Sequence, residues 1–128
     1  MGIRRLQQRV NDELSIPDDS KIQSLDNLEY VGGNLEIETK SIKSLGNLKQ
    51  VKGKISLFDA NIEDLGSLVH VEGHLYLDDC KKLKTLGKLN KVGGNLGLSG
   101  CKNLESFGDL EYCGDIRGLS SCKKITTL

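Results

Sequence analysis

From Leu65 to Leu86 the chain reads LGSLVHVEGHLYLDDCKKLKTL, and the same pattern returns along it with a shift of twenty or twenty-one residues. The other copies are LDNLEYVGGNLEIETKSIKSL from Leu25, LGNLKQVKGKISLFDANIEDL from Leu45, LGKLNKVGGNLGLSGCKNLESF from Leu86 and FGDLEYCGDIRGLSSCKKITTL from Phe107. A fixed period of this size marks a solenoid, in which each repeat makes one turn and stacks on the next. No other feature of the sequence restricts the fold as tightly.

Laid over one another, the copies put apolar residues in columns. Leu28, Leu48, Leu68, Leu89 and Leu110 form one, and Val31, Val51, Val71, Val92 and Cys113 another. A third holds Ile37, Leu57, Leu77, Leu98 and Leu119. Around the VxGxLxL segment apolar and polar residues alternate, which is the period of a half-buried strand. One such strand per turn, paired with its copies above and below, makes a parallel sheet along one side. The remaining residues are too few for a helix on the way back, so an extended or 3₁₀ return path is expected. Two glycine columns fit this plan. Gly46, Gly66, Gly87 and Gly108 follow the last core leucine, at a corner that calls for positive φ or a bare Cα. Gly33, Gly53, Gly73 and Gly94 precede the strand and suggest close backbone approach. A lone turn buries too little to offset the entropy of ordering its residues, so the turns must share faces.

Ahead of the repeats, Ile3, Leu6, Val10 and Leu14 recur at helical spacing, with Arg4, Arg5, Gln8, Arg9 and Asp12 on other faces. This predicts a helix over about 3–14, broken by Ser15-Ile16-Pro17-Asp18-Asp19. Residues 1–24 then form an N-terminal cap, and residues 25–128 a solenoid of five turns. In the first copy Lys40 occupies the place that cysteines hold later, where the cap would let it reach solvent. In the last copy Asp115 breaks the second glycine column, and Arg117 falls where Leu75 and Leu96 point inward. An unpaired buried arginine is costly, so a one-residue slip is expected that turns Ile116 inward and Arg117 out. Cys80, Cys101 and Cys122 recur in step with the repeat and should stack as a reduced ladder of small hydrophobes. Disulfides and a metal site are the alternatives, but there is no CxxC and no histidine at ligand spacing.

The segments LYLDDCKKL, LGLSGCKNL and, with a twist, RGLSSCKKI resemble the cysteine-type leucine-rich repeat LxLxxCxxL. The longer frame LxxLxxVxGxLxL is similar to the receptor L domain repeat of insulin- and growth-factor-receptor ectodomains, and to repeats of fungal wall proteins and of bacterial and phage leucine-rich proteins. The resemblance covers about residues 25–128. It implies a β-rich solenoid, a leucine-rich repeat or L domain-like right-handed coil with one short N-terminal capping helix. It implies no particular ligand, because such folds host many partners.

Basic and acidic groups balance, nine against eleven in residues 1–64 and nine against seven in 65–128, so no strong field points to nucleic acid or membrane. No apolar run approaches the roughly 18 residues of a membrane span. The start, MGIRRLQQRVNDELS, has no signal-peptide core, so a cytoplasmic location is expected unless a leader has been removed. His70 and His74 lie across a strand entry, where neither metal binding nor acid–base work is expected. The VGGN copies precede no helix and are no phosphate loop. These readings point away from an enzyme and from any cofactor or metal, and toward a scaffold that binds a protein partner through its sheet face.

On that face the outward positions are Asn34, Glu36 and Glu38 in one turn, then Lys54, Ser56 and Phe58, then His74, Tyr76 and Asp78. Phe58, His74, Tyr76 and Asp78 are the candidate centre of a partner site, with Glu36 and Lys54 beside them; the plainer reading is an ordinary exposed ladder. A self-assembling module, a homo-oligomer through the C-terminal turn, is the first alternative. A ridge of Lys81, Lys82, Lys84, Lys88, Lys91, Lys102, Lys123 and Lys124 offers a second, an anion or nucleic-acid binder. Nearby Asp78, Asp79, Glu105 and Asp109 dilute its field, and interleaved aromatics are missing, so nucleic acid is not the expected partner.

Overall fold

The computed structural model describes residues 8–125. In chain order its strands are β1 (Arg9–Val10), β2 (Leu14–Ile16), β3 (Tyr30–Val31), β4 (Leu35–Ile37), β5 (Gln50–Val51) and β6 (Ile55–Leu57). There follow β7 (His70–Val71), β8 (Leu75–Tyr76), β9 (Lys91–Val92), β10 (Leu96–Gly97) and β11 (Ile116–Arg117). The odd-numbered strands β1-β3-β5-β7-β9 stack into a five-stranded sheet, and β2-β4-β6-β8-β10-β11 into a six-stranded one. Every pairing is parallel and joins a strand to its copy in the next turn. The chain is a β-solenoid.

Each turn thus contributes two short strands rather than the single one expected. The residue before each core valine is already extended and paired, as in Tyr30↔Gln50 and Gln50↔His70, so the VxGxLxL segment bends between two sheets. The bend lies at the second glycine column. A Cβ on Gly73 would sit 2.7 Å from the carbonyl carbon of Gly53, and one on Gly53 at the same distance from that of Gly33. Only glycine lets the backbones of successive turns come that close.

Among the described residues the third side of the coil has isolated parallel bridges, Ser24↔Ser44, Ser44↔Asp64 and Thr85↔Ser106, and no strand. The return path is otherwise turn and loop, with one 3₁₀ turn at Leu119–Ser121. Its corners repeat a single device. The side-chain oxygens of Ser24, Ser44, Asp64, Thr85 and Ser106 each accept the backbone N–H two residues on, at 2.8 to 3.1 Å. That second residue is left-handed, with φ of 52° at Asp26 and 60–63° at Gly46, Gly66, Gly87 and Gly108. The hydroxyl or carboxylate satisfies a donor that the tight corner would otherwise orphan.

Inside, leucine, isoleucine and valine columns merge into one core along the coil, nearly all of it fully buried from Ile16 to Leu104. Thr39 is the one buried polar side chain among the described residues, and its hydroxyl donates to the Ser20 carbonyl. Thr39, not Lys40, therefore fills the position at which Cys80 stands two turns later. Lys40 points outward and pairs with Asp59 at 3.0 Å.

The slip in the last turn is present. Lys91 bridges Tyr112, yet Leu96 pairs with Ile116, so this corner is one residue shorter than the one before. Gly114 enters the glycine column, donating to the Gly94 carbonyl at 2.8 Å. Ile116 packs on the core and Arg117 is exposed.

The helix expected over about 3–14 needs correcting where it can be seen. Residues 1–7 lie outside the described residues; from Arg9 to Ile16 the chain supplies β1 and β2 instead of helix. Val10 pairs with Val31, Leu14 with Leu35 and Ile16 with Ile37. Val10 and Leu14 are four positions apart, as are Val31 and Leu35 and also Val51 and Ile55, so an apparent helical spacing is the spacing of the repeat itself. Asn11 and Asp12 stand where Gly32 and Gly33 stand one turn later, which hid the match. The part of the 1–24 segment assigned to a cap is, over these residues, a turn of the coil. Among the described residues no helix is long and apolar enough to cross a membrane.

Candidate functional site

The six-stranded sheet sends alternate side chains inward and outward. The register Ser15↔Glu36↔Ser56↔Tyr76↔Gly97↔Arg117 is one outward column, crossing all six strands. Beside it, one residue beyond the pair Ile37↔Leu57 and two beyond Ser56↔Tyr76, lies the column of Glu38, Phe58 and Asp78. On the other side lie Asn34, Lys54, His74 and Asn95.

The structure brings Phe58, Tyr76 and His74 together as a diagonal stripe. The Phe58 and Tyr76 rings stack with centroids 6.0 Å apart and planes 20° from parallel, and Tyr76 meets His74 at 5.5 Å. Phe58 is 54% exposed. Tyr76 is half-buried because it lies over Gly97: a Cβ there would meet its Cδ1 at 3.1 Å. Gly97 is consequently buried although it faces outward. The aromatic ring covers a strand glycine, a part of its role that has nothing to do with a partner.

His74 and Asp78 likewise have duties within the coil. Asn95 donates its backbone N–H to His74 Nδ1 at 2.8 Å, and Ser99 donates its own to Asp78 Oδ1 at 2.9 Å. Asn34 and Asn95 do the same for Lys54 and Asp115. Accepting this bond requires the His74 tautomer with its proton on Nε2. Of the six candidate residues, Phe58 alone is largely exposed and free of such a task; Glu36 and Lys54 are half-buried on the same face.

The five-stranded sheet behaves differently. Its outward column is Arg9, Tyr30, Gln50, His70 and Lys91, with Tyr112 bridged beyond. Here the aromatics meet cations: the Arg9 guanidinium sits 3.9 Å above the Tyr30 ring centroid, and the Lys91 ammonium 5.7 Å from that of Tyr112, which stays 55% exposed. Charges are matched as well. Lys49 pairs with Glu29 at 3.6 Å and Lys52 with Glu72 at 3.1 Å, and Gln50 donates to the same Glu72 carboxylate. A hydrogen bond to Glu72 raises the Lys52 pKa, and the same bond lowers that of Glu72. Tyr30, Tyr112 and their cations were not singled out from the sequence. The signal was there, since each cation stands twenty-one residues before its tyrosine.

The cysteine ladder is inert. Cys80, Cys101 and Cys122 are free and buried, and their thiols lie against carbonyls of the preceding turn, those of Leu57, Leu77 and Leu98, at 3.7, 2.8 and 3.7 Å. Burial pushes the Cys80 thiol up to about 11 and the Cys101 thiol to about 12. Such groups stay protonated near neutrality, and only the thiolate is a nucleophile or metal ligand. The eight lysines of the expected ridge are all exposed, but they do not share one surface. Lys91 is on the five-stranded sheet, while Lys81, Lys82 and Lys84 line an open groove that Glu63 and Asn103 complete.

Fold and faces together describe a β-solenoid with exposed aromatic surface on both sheets: Phe58, stacked on Tyr76 with no cation over it, on the six-stranded sheet, and Tyr112, beside Lys91, at the end of the five-stranded one. The chain matches no known family model, no curated protein and no solved structure.

Proposed function

We propose that this chain is a non-enzymatic binding scaffold of the leucine-rich, receptor L domain-like type, holding a protein partner on the six-stranded sheet around Phe58 and Tyr76. One observation carries the reading: a stacked aromatic pair, its outer ring 54% exposed, on a sheet whose strands are pinned on both sides. Aromatic anchors dominate protein interfaces, and a surface already rigid loses little entropy on binding. The L domain-like subtype is supported by the LxxLxxVxGxLxL frame, whose leucines and valines point inward.

The test is affinity capture from cell lysate with wild-type protein beside Phe58→Glu, retained proteins being identified by mass spectrometry. At least one protein held by wild type and lost with the variant is expected. The variant should unfold within about 0.5 kcal/mol of wild type, since Phe58 lies on the surface. Identical retention on both would remove the sheet face as the binding site.

A second reading has its own observation. In the last described turn Phe107, Leu110, Cys113, Ile116, Leu119 and Ile125 are only partly buried, whereas Leu86, Leu89, Val92, Leu96, Leu98 and Leu104 one turn earlier are fully covered. Stacking of this turn on a second copy would cover it. Light scattering over a concentration series decides: a rising mass supports self-assembly, and a constant monomer mass overturns it.

A further inference from the structure

The five-stranded sheet shows what an outward aromatic receives on its face in this lattice. Tyr30 and Tyr112 each carry the cation of the adjacent turn, Arg9 and Lys91. On the six-stranded sheet the corresponding neighbours of Phe58 are of the opposite charge, and those of Tyr76, Ser56 and Gly97, carry none. Phe58 lies between Glu38 and Asp78 in its column, and Ser56, beside Tyr76, is followed by Glu36. Among the described residues none of these three carboxylates is in an ion pair, and no cation lies over the Phe58 or Tyr76 ring. Asp78 spends Oδ1 on the Ser99 N–H, which leaves its other oxygen for a ligand. Lys54, one column away beside His74, and Arg117, two turns beyond Tyr76, are the basic residues of this face, against Glu36, Glu38, Asp78, Glu13 and Asp115.

We infer that this acidic aromatic patch takes an arginine side chain from a basic segment of the partner, seated on the Phe58 ring between Glu38 and Asp78; the inference rests on the sheet-face reading above. A guanidinium is planar, stacks on an aromatic face and forks onto carboxylates, so one group meets both features of the patch. The same carboxylates repel nucleic acid and anionic lipid, whose phosphates would meet unpaired negative charge. The partner's arginine completes on this sheet the cation–aromatic pair that Arg9 and Tyr30 make within the chain on the other.

A titration followed by backbone amide NMR tests it, using the synthetic peptide acetyl-Gly-Arg-Gly-Arg-Gly-amide and its citrulline counterpart, which keeps the shape and loses the charge. The arginine peptide should shift the amides of Glu36, Glu38, Phe58, Tyr76 and Asp78 and leave those of Tyr30 and Tyr112 in place. Phe58→Ala, and separately the double variant Glu36→Gln/Glu38→Gln, should each weaken it by about tenfold. Both variants change exposed or half-exposed side chains, and their unshifted spectra elsewhere report intact folding. Equal binding of the citrulline peptide, equal binding to either variant, or no shift at this face overturns the inference. The parent reading fails on different evidence. A captured protein that is lost with Phe58→Glu but kept with Glu36→Gln/Glu38→Gln would leave the binding face standing without its arginine.

Discussion

Cys80, Cys101 and Cys122 hold the same place in three successive turns, and that place was legible from their spacing alone. What they do there was not. Each thiol faces a carbonyl one turn back, and burial keeps it protonated. Cys113, in the valine column of the last described turn, is only half-buried. In the native protein at pH 8 a disulfide reagent such as Ellman's should therefore titrate Cys113 first, with Cys80 and Cys101 reacting only as the chain unfolds. Raising the pH to 10 should not release Cys80, whose pKa of about 11 still lies above it. Rapid native labelling of Cys80 or Cys101 would contradict the buried ladder. His74 makes the opposite point about single residues. From the sequence it is an outward side chain available to a partner; in the coil its Nδ1 is occupied by the Asn95 N–H.

The turn is the next unit up, and Gly87 and Gly73 show two different reasons for a glycine in it. Gly87 has φ of +60°, but a Cβ added to it would meet nothing within 4 Å. Gly73 has ordinary φ, yet its Cβ would lie 2.7 Å from the backbone of the turn before. Gly87→Ala should cost about 1–2 kcal/mol, the left-handed penalty for a residue with a Cβ. Gly73→Ala must push two turns apart and should cost more, about 3 kcal/mol at the upper end of overpacking. Urea unfolding of the two variants checks the order, and equal costs would mean that the backbone at Gly73 yields easily. The sequence showed both columns without showing that Gly66 and Gly108 combine positive φ with a backbone too close for a Cβ, whereas Gly87 has the positive φ alone. It also disguised the turn of β1 and β2, because a valine and a leucine four apart suit a helix face and this coil equally well.

At the scale of the molecule, each described strand is hydrogen-bonded to its copies in the adjacent turns, so stability accumulates by neighbours and is lost from the ends. Core side chains are buried from Leu25 to Leu104, while those of the last described turn, Cys122 apart, are only partly buried. Native-state hydrogen exchange should be slowest at the amides of Val51, Leu57, Val71 and Leu75. It should quicken toward Ile116 and Arg117, with a graded profile rather than one global opening. Uniform protection along the coil would show that the last turn is held by something further, such as a second copy.

By itself the sequence determined the solenoid, its period, the inward columns, the tight corners and even the slip at Arg117. All of these follow from one fact: every turn offers the next the same environment, so packing demands repeat and appear as columns. Tertiary structure alone decided that each turn is split between two sheets, that Thr39 turns in while Lys40 turns out, and which aromatics are already covered. Those outcomes depend on where a backbone bends and on which side chains of neighbouring turns meet. Arg9 over Tyr30 and Phe58 against Tyr76 are contacts between residues some twenty positions apart, made by ring and rotamer geometry that a pattern of polar and apolar letters does not contain.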